Sequence, residues 1–136
     1  MTRLASVALL VPDYDEAIAF FTGPLGFRLA ADRPQGAKRW VVVEPPGGGS
    51  SLVLAVPDGQ DRAAIGRQAG GRVGFFLLAD DFDGQRARMV AAGVAFEEEP
   101  RSEPYGRVAV WRDPWGNRWD LLGPPSPAGP PRGDPA

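Results

Sequence analysis

The feature that most constrains this chain is a repeated spacing. Tyr14 and Phe82 stand 68 residues apart, as do Asp15 and Asp83, and Pro46 and Pro114; Gly26 and Gly93, and Leu54 and Leu121, stand 67 apart. These markers differ in chemistry, so an offset shared within one residue predicts a structural unit that occurs twice. Each copy reads strand, helix, strand, strand, strand. In 136 residues the two copies form one domain of two small modules.

The first copy starts with Leu4 to Val11, an apolar run that suits a buried strand and stops at Pro12. Asp13 is placed to cap a helix, with Glu16 at the reciprocal position of a capping box. Tyr14, Ala17, Ile18 and Phe21 then stand at i, i+3, i+4 and i+7, an apolar stripe. Gly23 and Pro24 end the helix. Gly26 to Ala30 reads as the second strand, Arg33 to Lys38 as a loop, and Arg39 to Val43 with Ser51 to Val56 as a hairpin. The Gly47-Gly48-Gly49-Ser50 run inside that hairpin lacks the spacing of a phosphate loop.

Pro57 to Gly71 is polar and Gly-rich, a connector with one helical turn near Arg62 to Ile65. The second copy opens with a strand over Arg72 to Ala79. Asp80 or Asp81 caps a helix that carries Phe82, Met89 and Val90 on its apolar side, with Gly93 as the residue just past its end. Val94 to Glu97 is expected as a strand and Glu98 to Gly106 as a loop. Arg107 to Leu122 has the plainest pattern of all: strand, the turn Asp113-Pro114-Trp115-Gly116-Asn117, strand. The expected division is a module over 1–57, a connector over 58–70, a module over 71–123 and a Pro/Gly-rich tail over 124–136. The tail composition cannot build a core element.

Composition removes several kinds of chemistry. The chain has no Cys and no His. Disulfides, thiolate nucleophiles and zinc–thiolate sites are excluded, along with the commonest metal ligand and the commonest general base. A net charge of −2 gives no general attraction to nucleic acid or to an anionic membrane. No apolar run approaches the roughly 20 residues of a membrane span. No basic segment leads an apolar stretch at the start, so a cytoplasmic location is expected.

Two motifs carry a family resemblance. One is Val11-Pro12-Asp13 followed by Ala17, Phe20 and Gly26-Phe27; the other is Asp113-Pro114-Trp115-Gly116-Asn117-Arg118-Trp119-Asp120-Leu121. With the repeat, they resemble the vicinal oxygen chelate superfamily: glyoxalase I, bleomycin-resistance proteins, fosfomycin-resistance enzymes and extradiol dioxygenases. The resemblance covers Met1 to about Gly123. It implies an α+β fold of two βαβββ modules whose mixed sheets form a cupped, open barrel with helices on the outer face. It also implies a small molecule bound on the concave face, often with a divalent metal, and a homodimer.

In metal-using members the ligands fall on the first and fourth strand of each module. The corresponding positions here are Ser6, Val53, Gly74 and Asp120. Only Asp120 has a competent oxygen, and a single carboxylate does not hold Zn²⁺, Ni²⁺ or Fe²⁺. No metal and no other cofactor is therefore expected. Asp120 then has two readings: an acceptor or anion facing a ligand, or a carboxylate paired with Arg118, Arg107 or Arg39. Arg118 and Asp120 lie two apart on one strand and share a face. Strand alternation sends Trp119 to the opposite face. The remaining candidate ligand-binding residues are Trp40 and Trp111 from the hairpins, and Arg101 and Tyr105 from the Pro100 to Gly106 loop, which is placed to close over a ligand.

The expected function is metal-free binding of a small molecule, as in bleomycin-resistance members. The alternative is a glyoxalase-type lyase or isomerase acting on a small oxygenated substrate, with Asp120 as metal ligand or base. A third reading is a dimeric regulatory module with no catalytic role.

Overall fold

The computed structural model describes residues 1–125, so the expected tail from Ser126 onward lies outside the described residues. The chain is α+β and its described residues divide into two compact units, Met1–Gln68 and a second from Ala69 onward. In the first unit the order is β1 (Ser6–Leu10), α1 (Tyr14–Thr22), β2 (Arg28–Gln35), β3 (Lys38–Glu44) and β4 (Ser51–Ala55), followed by a short 3₁₀ helix, Gly59–Ala64. The second unit runs β5 (Val73–Leu78), α2 (Phe82–Ala91), β6 (Ala95–Phe96), β7 (Arg101–Glu103), β8 (Gly106–Arg112) and β9 (Arg118–Gly123).

Each unit builds one mixed sheet by the same rule. In the first, the strands lie in the order β1-β4-β3-β2, with β1 parallel to β4 and the others antiparallel. In the second, β5 is parallel to β9, and β8 follows, with β6 and β7 both pairing β8. The helix connects the first strand to an antiparallel run that starts at the far edge of the sheet and whose last strand returns beside the first.

Local chemistry explains both helices. Asp13 accepts from the Glu16 amide at 2.8 Å, and Asp81 accepts from the Gly84 amide at 3.0 Å. Each satisfies an amide that the first helical turn leaves unpaired. Equivalent caps at positions 68 apart are the repeat seen in three dimensions. Ala17 and Phe21 bury the α1 stripe on the side where α1 meets β3 and β4, and Leu9, Val41, Val43 and Leu54 are likewise essentially inaccessible. Phe82 and Met89 do the same for α2. Val90, grouped with them by spacing, is exposed instead; α2 carries only Phe82 and Met89 as buried residues.

Two strands differ from expectation. β2 continues through Arg33 and Pro34 to Gln35, and only the Gly36-Ala37 turn interrupts the hairpin with β3. Pro34 is tolerated because β2 is an edge strand, where a missing amide costs no ladder bond. In the second unit the matching strand is split into β6 and β7 by Glu97 to Pro100. The carboxylate of Glu98 bridges the break, accepting from the Val110 amide at 3.1 Å, while the Glu97 amide donates to the Val110 carbonyl at 2.9 Å. A side chain thus replaces one rung of the ladder. Consequently Arg101 to Glu103 is a strand and not part of a free loop.

Candidate functional site

The hairpin β8–β9 fixes the site in the second unit. Asp113 is 4% exposed and occupies the start of its turn. One carboxylate oxygen accepts from the amides of Trp115, Gly116 and Asn117 at 2.9–3.1 Å. The other accepts from Asn117 Nδ2 at 2.8 Å and from Trp119 Nε1 at 3.1 Å. Gly116 takes φ +110, where a side chain would be strained. Five donors on one carboxylate lock the turn, and the turn sets the register Trp111↔Trp119 and Val110↔Asp120.

That register separates the two faces of the sheet. Trp119 stacks between Trp111 and Phe75, with ring centroids at 4.8 Å and 4.7 Å. Trp111 is 0% exposed. It was a candidate for ligand lining, and the structure removes it: as the cross-strand partner of Trp119 it shares Trp119's buried face. Asp120, Arg118 and Leu122 point the other way, away from α2. Phe76 is the register partner of Asp120 on β5, and Leu78 that of Leu122. Phe76 is 63% exposed and Leu78 is 70% exposed. Arg101 is the partner of Val108 on β8, hence on this same helix-free face.

The charges on this face pair almost completely. Arg118 donates to both oxygens of Glu97 at 3.0 Å, and Arg112 reaches Glu97 at 2.8 Å. Arg101 pairs with Glu98 at 3.2 Å and also with Glu103. The hydrogen bond from Arg118, with the nearby guanidinium of Arg112, holds Glu97 below the ordinary carboxylate range. The partner of Arg118 is therefore Glu97, and Asp120 forms no ion pair among the described residues. Its Oδ1 is buried without a hydrogen-bond partner among those residues. Burial pushes the Asp120 carboxyl up and Glu98 adds to that, while Arg101 and Arg118 act against it.

Of the other candidates, Tyr105 sits at the tip of the β7–β8 hairpin and is 69% exposed. Trp40 belongs to the first unit. Its neighbours Arg39 and Val41 face α1: Arg39 pairs with Asp15 of α1, and Val41 is buried. Alternation places Trp40, half-buried, on the helix-free face of that sheet. Arg101, Arg118 and Asp120 are thus gathered on one face of the second unit. Phe76 was not among the candidate residues. Its signal was present, since adjacent Phe75 and Phe76 on one strand must point to opposite faces.

The metal positions of the resemblance fail on chemistry. Val53 and Gly74 offer no side-chain donor. Ser6 Oγ is hydrogen-bonded to Ser51 Oγ at 2.7 Å. Among the described residues no three of His, Cys, Asp and Glu come together as a metal site. The donor set does not fit a transition metal.

Comparison with known proteins decides the family. The model of the Glyoxalase/Bleomycin resistance protein/Dioxygenase superfamily matches residues 3–121. The chain belongs to this superfamily. An uncharacterised protein of Shewanella frigidimarina is 49% identical over 125 residues, covering 88% of this chain and 91% of that one. The crystal structure of TnmS3, an antibiotic binding protein from Streptomyces sp. CB03234, is 34% identical with a TM-score of 0.77, covering 91% of this chain and 97% of that one. A glyoxalase/bleomycin resistance protein from the same Streptomyces is also 34% identical, with a TM-score of 0.69 and coverage of 88% and 98%. The superfamily fold is the vicinal oxygen chelate type, two βαβββ modules, as described above. No helix among the described residues is long and apolar enough to cross a membrane.

Proposed function

We propose that this protein binds a small organic molecule on the helix-free face of its second sheet, without a metal, and retains it chemically unchanged. The observation that carries this reading is the composition of the face around Asp120. It combines large exposed apolar side chains, Phe76 and Leu78, with one carboxylate that has no partner among the described residues. Ligand sites take this form: apolar surface with a few polar groups that fix orientation. The likeness to an antibiotic binding protein at 34% identity supports it. In this reading Arg101, Arg118 and Tyr105 border the ligand in the second unit, Trp40 is a separate candidate on the helix-free face of the first sheet, and the protein works in the cytoplasm. A homodimer belongs to the same proposal, because the β2 and β5 edges are unpaired within their sheets and Leu29 and Leu78 on them are exposed.

The test is thermal-shift screening against a panel of microbial antibiotics, with and without EDTA, followed by mass spectrometry of the recovered compound. A saturable rise in Tm that EDTA leaves unchanged, with the compound recovered intact, is the expected result. Recovery of a converted product would replace binding with the lyase or isomerase reading. That alternative rests on Asp120, whose carboxyl is pushed upward, the direction a general base requires.

A further inference from the structure

On the face of the second unit that carries Asp120, acids and bases can be matched by name. Arg101 is held by Glu98 and Glu103. Arg112 and Arg118 are both held by Glu97. These three guanidiniums are therefore committed to glutamates. Asp120 is the carboxylate left over: it has no ion pair among the described residues, and its Oδ1 has no hydrogen-bond partner among them. The residue as a whole is half-buried, with Oδ1 itself closed off, so it is the exposed remainder of Asp120 that a ligand meets on the helix-free side.

A carboxylate in this state is costly unless something donates to it. Its surroundings say what would. Phe76 is its neighbour in register on β5, exposed over most of its surface, and Leu122 follows on β9. The carboxylate favours a cation by charge, and the ring beside it offers apolar surface to the body that carries that cation. A carboxylate ligand would meet Asp120 as a like charge, and the nearby arginines are already engaged. A neutral apolar molecule would gain from Phe76 and leave Asp120 as it was.

We infer that the second unit selects an aromatic or otherwise flat apolar ligand that carries a protonated amine, with the amine on Asp120 and the apolar body on Phe76. This rests on the small-molecule-binding reading above and narrows it. Asp120 is here a specificity residue, and Phe76 supplies affinity without regard to charge.

Three probes of one shape separate these roles: 9-(aminomethyl)anthracene, 9-anthracenemethanol and 9-anthracenecarboxylate. Binding to the full chain is followed by anthracene fluorescence at about pH 7, where the three are cationic, neutral and anionic. The expected order is amine, then alcohol, then acid, with the amine at least about tenfold tighter than the acid, a factor set by one charge-assisted hydrogen bond. Asp120→Asn keeps the shape of the residue and should cut amine affinity about tenfold, with the alcohol unchanged within about twofold. Phe76→Ala should weaken all three together. Circular dichroism and Tm of each variant establish that it is folded, and the unchanged alcohol affinity of Asp120→Asn checks the site itself. If all three probes bind wild type equally, or Asp120→Asn leaves the amine unaffected, the amine inference falls and the binding face stands. If none of the three binds wild type, the inference and the binding-face reading fall together.

Discussion

Replacing Asp113 with Ala should be among the most damaging single changes in the second unit. The carboxylate accepts five hydrogen bonds at 2.8–3.1 Å while only 4% exposed. Three of the donors are turn amides, which can turn to water when the acceptor goes, so their loss is partial. The other two, Asn117 Nδ2 and Trp119 Nε1, lie in buried residues and lose this acceptor outright. A buried donor deprived of its acceptor costs about 1–3 kcal/mol. The two side-chain donors and a reduced share from the amides give a loss of about 3–5 kcal/mol. For a chain of this length that is a fall in Tm of about 10–15 °C. Asp113→Asn is the informative companion. Its carbonyl can keep the three turn amides, but its NH₂ then faces two donors, so it should lose about 2 kcal/mol. Urea denaturation read by tryptophan fluorescence measures both, and Trp119 in the affected stack makes that signal local. If Asp113→Ala unfolds within about 1 kcal/mol of wild type, the turn is held by its backbone alone and this account of the register is wrong.

Three further outcomes follow from neighbouring observations. Gly106 has φ +142, and a Cβ there would overlap the Gly123 carbonyl; Gly106→Ala should cost at least about 3 kcal/mol in urea denaturation, because backbone must move as well as strain. Asp120 has its carboxyl pushed up by burial, so the folded chain holds that proton more tightly than the unfolded chain. Its contribution to stability falls as pH rises from the ordinary aspartate value through the folded one. Asp120→Asn should therefore melt above wild type at neutral pH, and the difference should close in acid. Glu97 is shifted the opposite way by Arg118 and Arg112. Its stabilisation is present above the ordinary glutamate value and lost as pH falls through the lowered one. A Tm series on Glu97→Gln should show a deficit at neutral pH that vanishes in acid, and a deficit that persists there would assign the effect to packing.

The sequence made the repeat legible because caps and glycines are local signals. Asp13 and Asp81 each act within three residues of themselves, and their spacing survives any tertiary detail. The face of Trp119 was legible for the same reason, since alternation is a property of one strand. Trp111 was misplaced because its face depends on cross-strand register. The signal was available: Trp111 and Trp119 stand four residues either side of Trp115, which makes them partners across the turn. The strand at Arg101 to Glu103 was hidden by Pro100 and Pro104. Only the structure shows Glu98 bridging the break from 12 residues away. The pairing of Arg118 with Glu97 spans 21 residues, and no local rule reaches that far.

The two faces of the second sheet divide the work of the unit. One face carries Phe75, Trp111 and Trp119 in a stacked row, tied to the turn by Trp119 Nε1 on Asp113. Stacking and that hydrogen bond fix strand register without help from the residues between them. The intervening positions are then free of the task of holding the sheet together. This explains how the chain tolerates an exposed Phe76 beside an Asp120 that lacks a partner among the described residues, a combination that contributes nothing to stability and adds an electrostatic cost. A sheet held from behind can keep a costly front. It follows that damage to Asp113 or Trp119 should reach the proposed ligand face indirectly, through register. Changes at Phe76 or Asp120 should alter binding while the turn, the stack and the helix behind them stay in place.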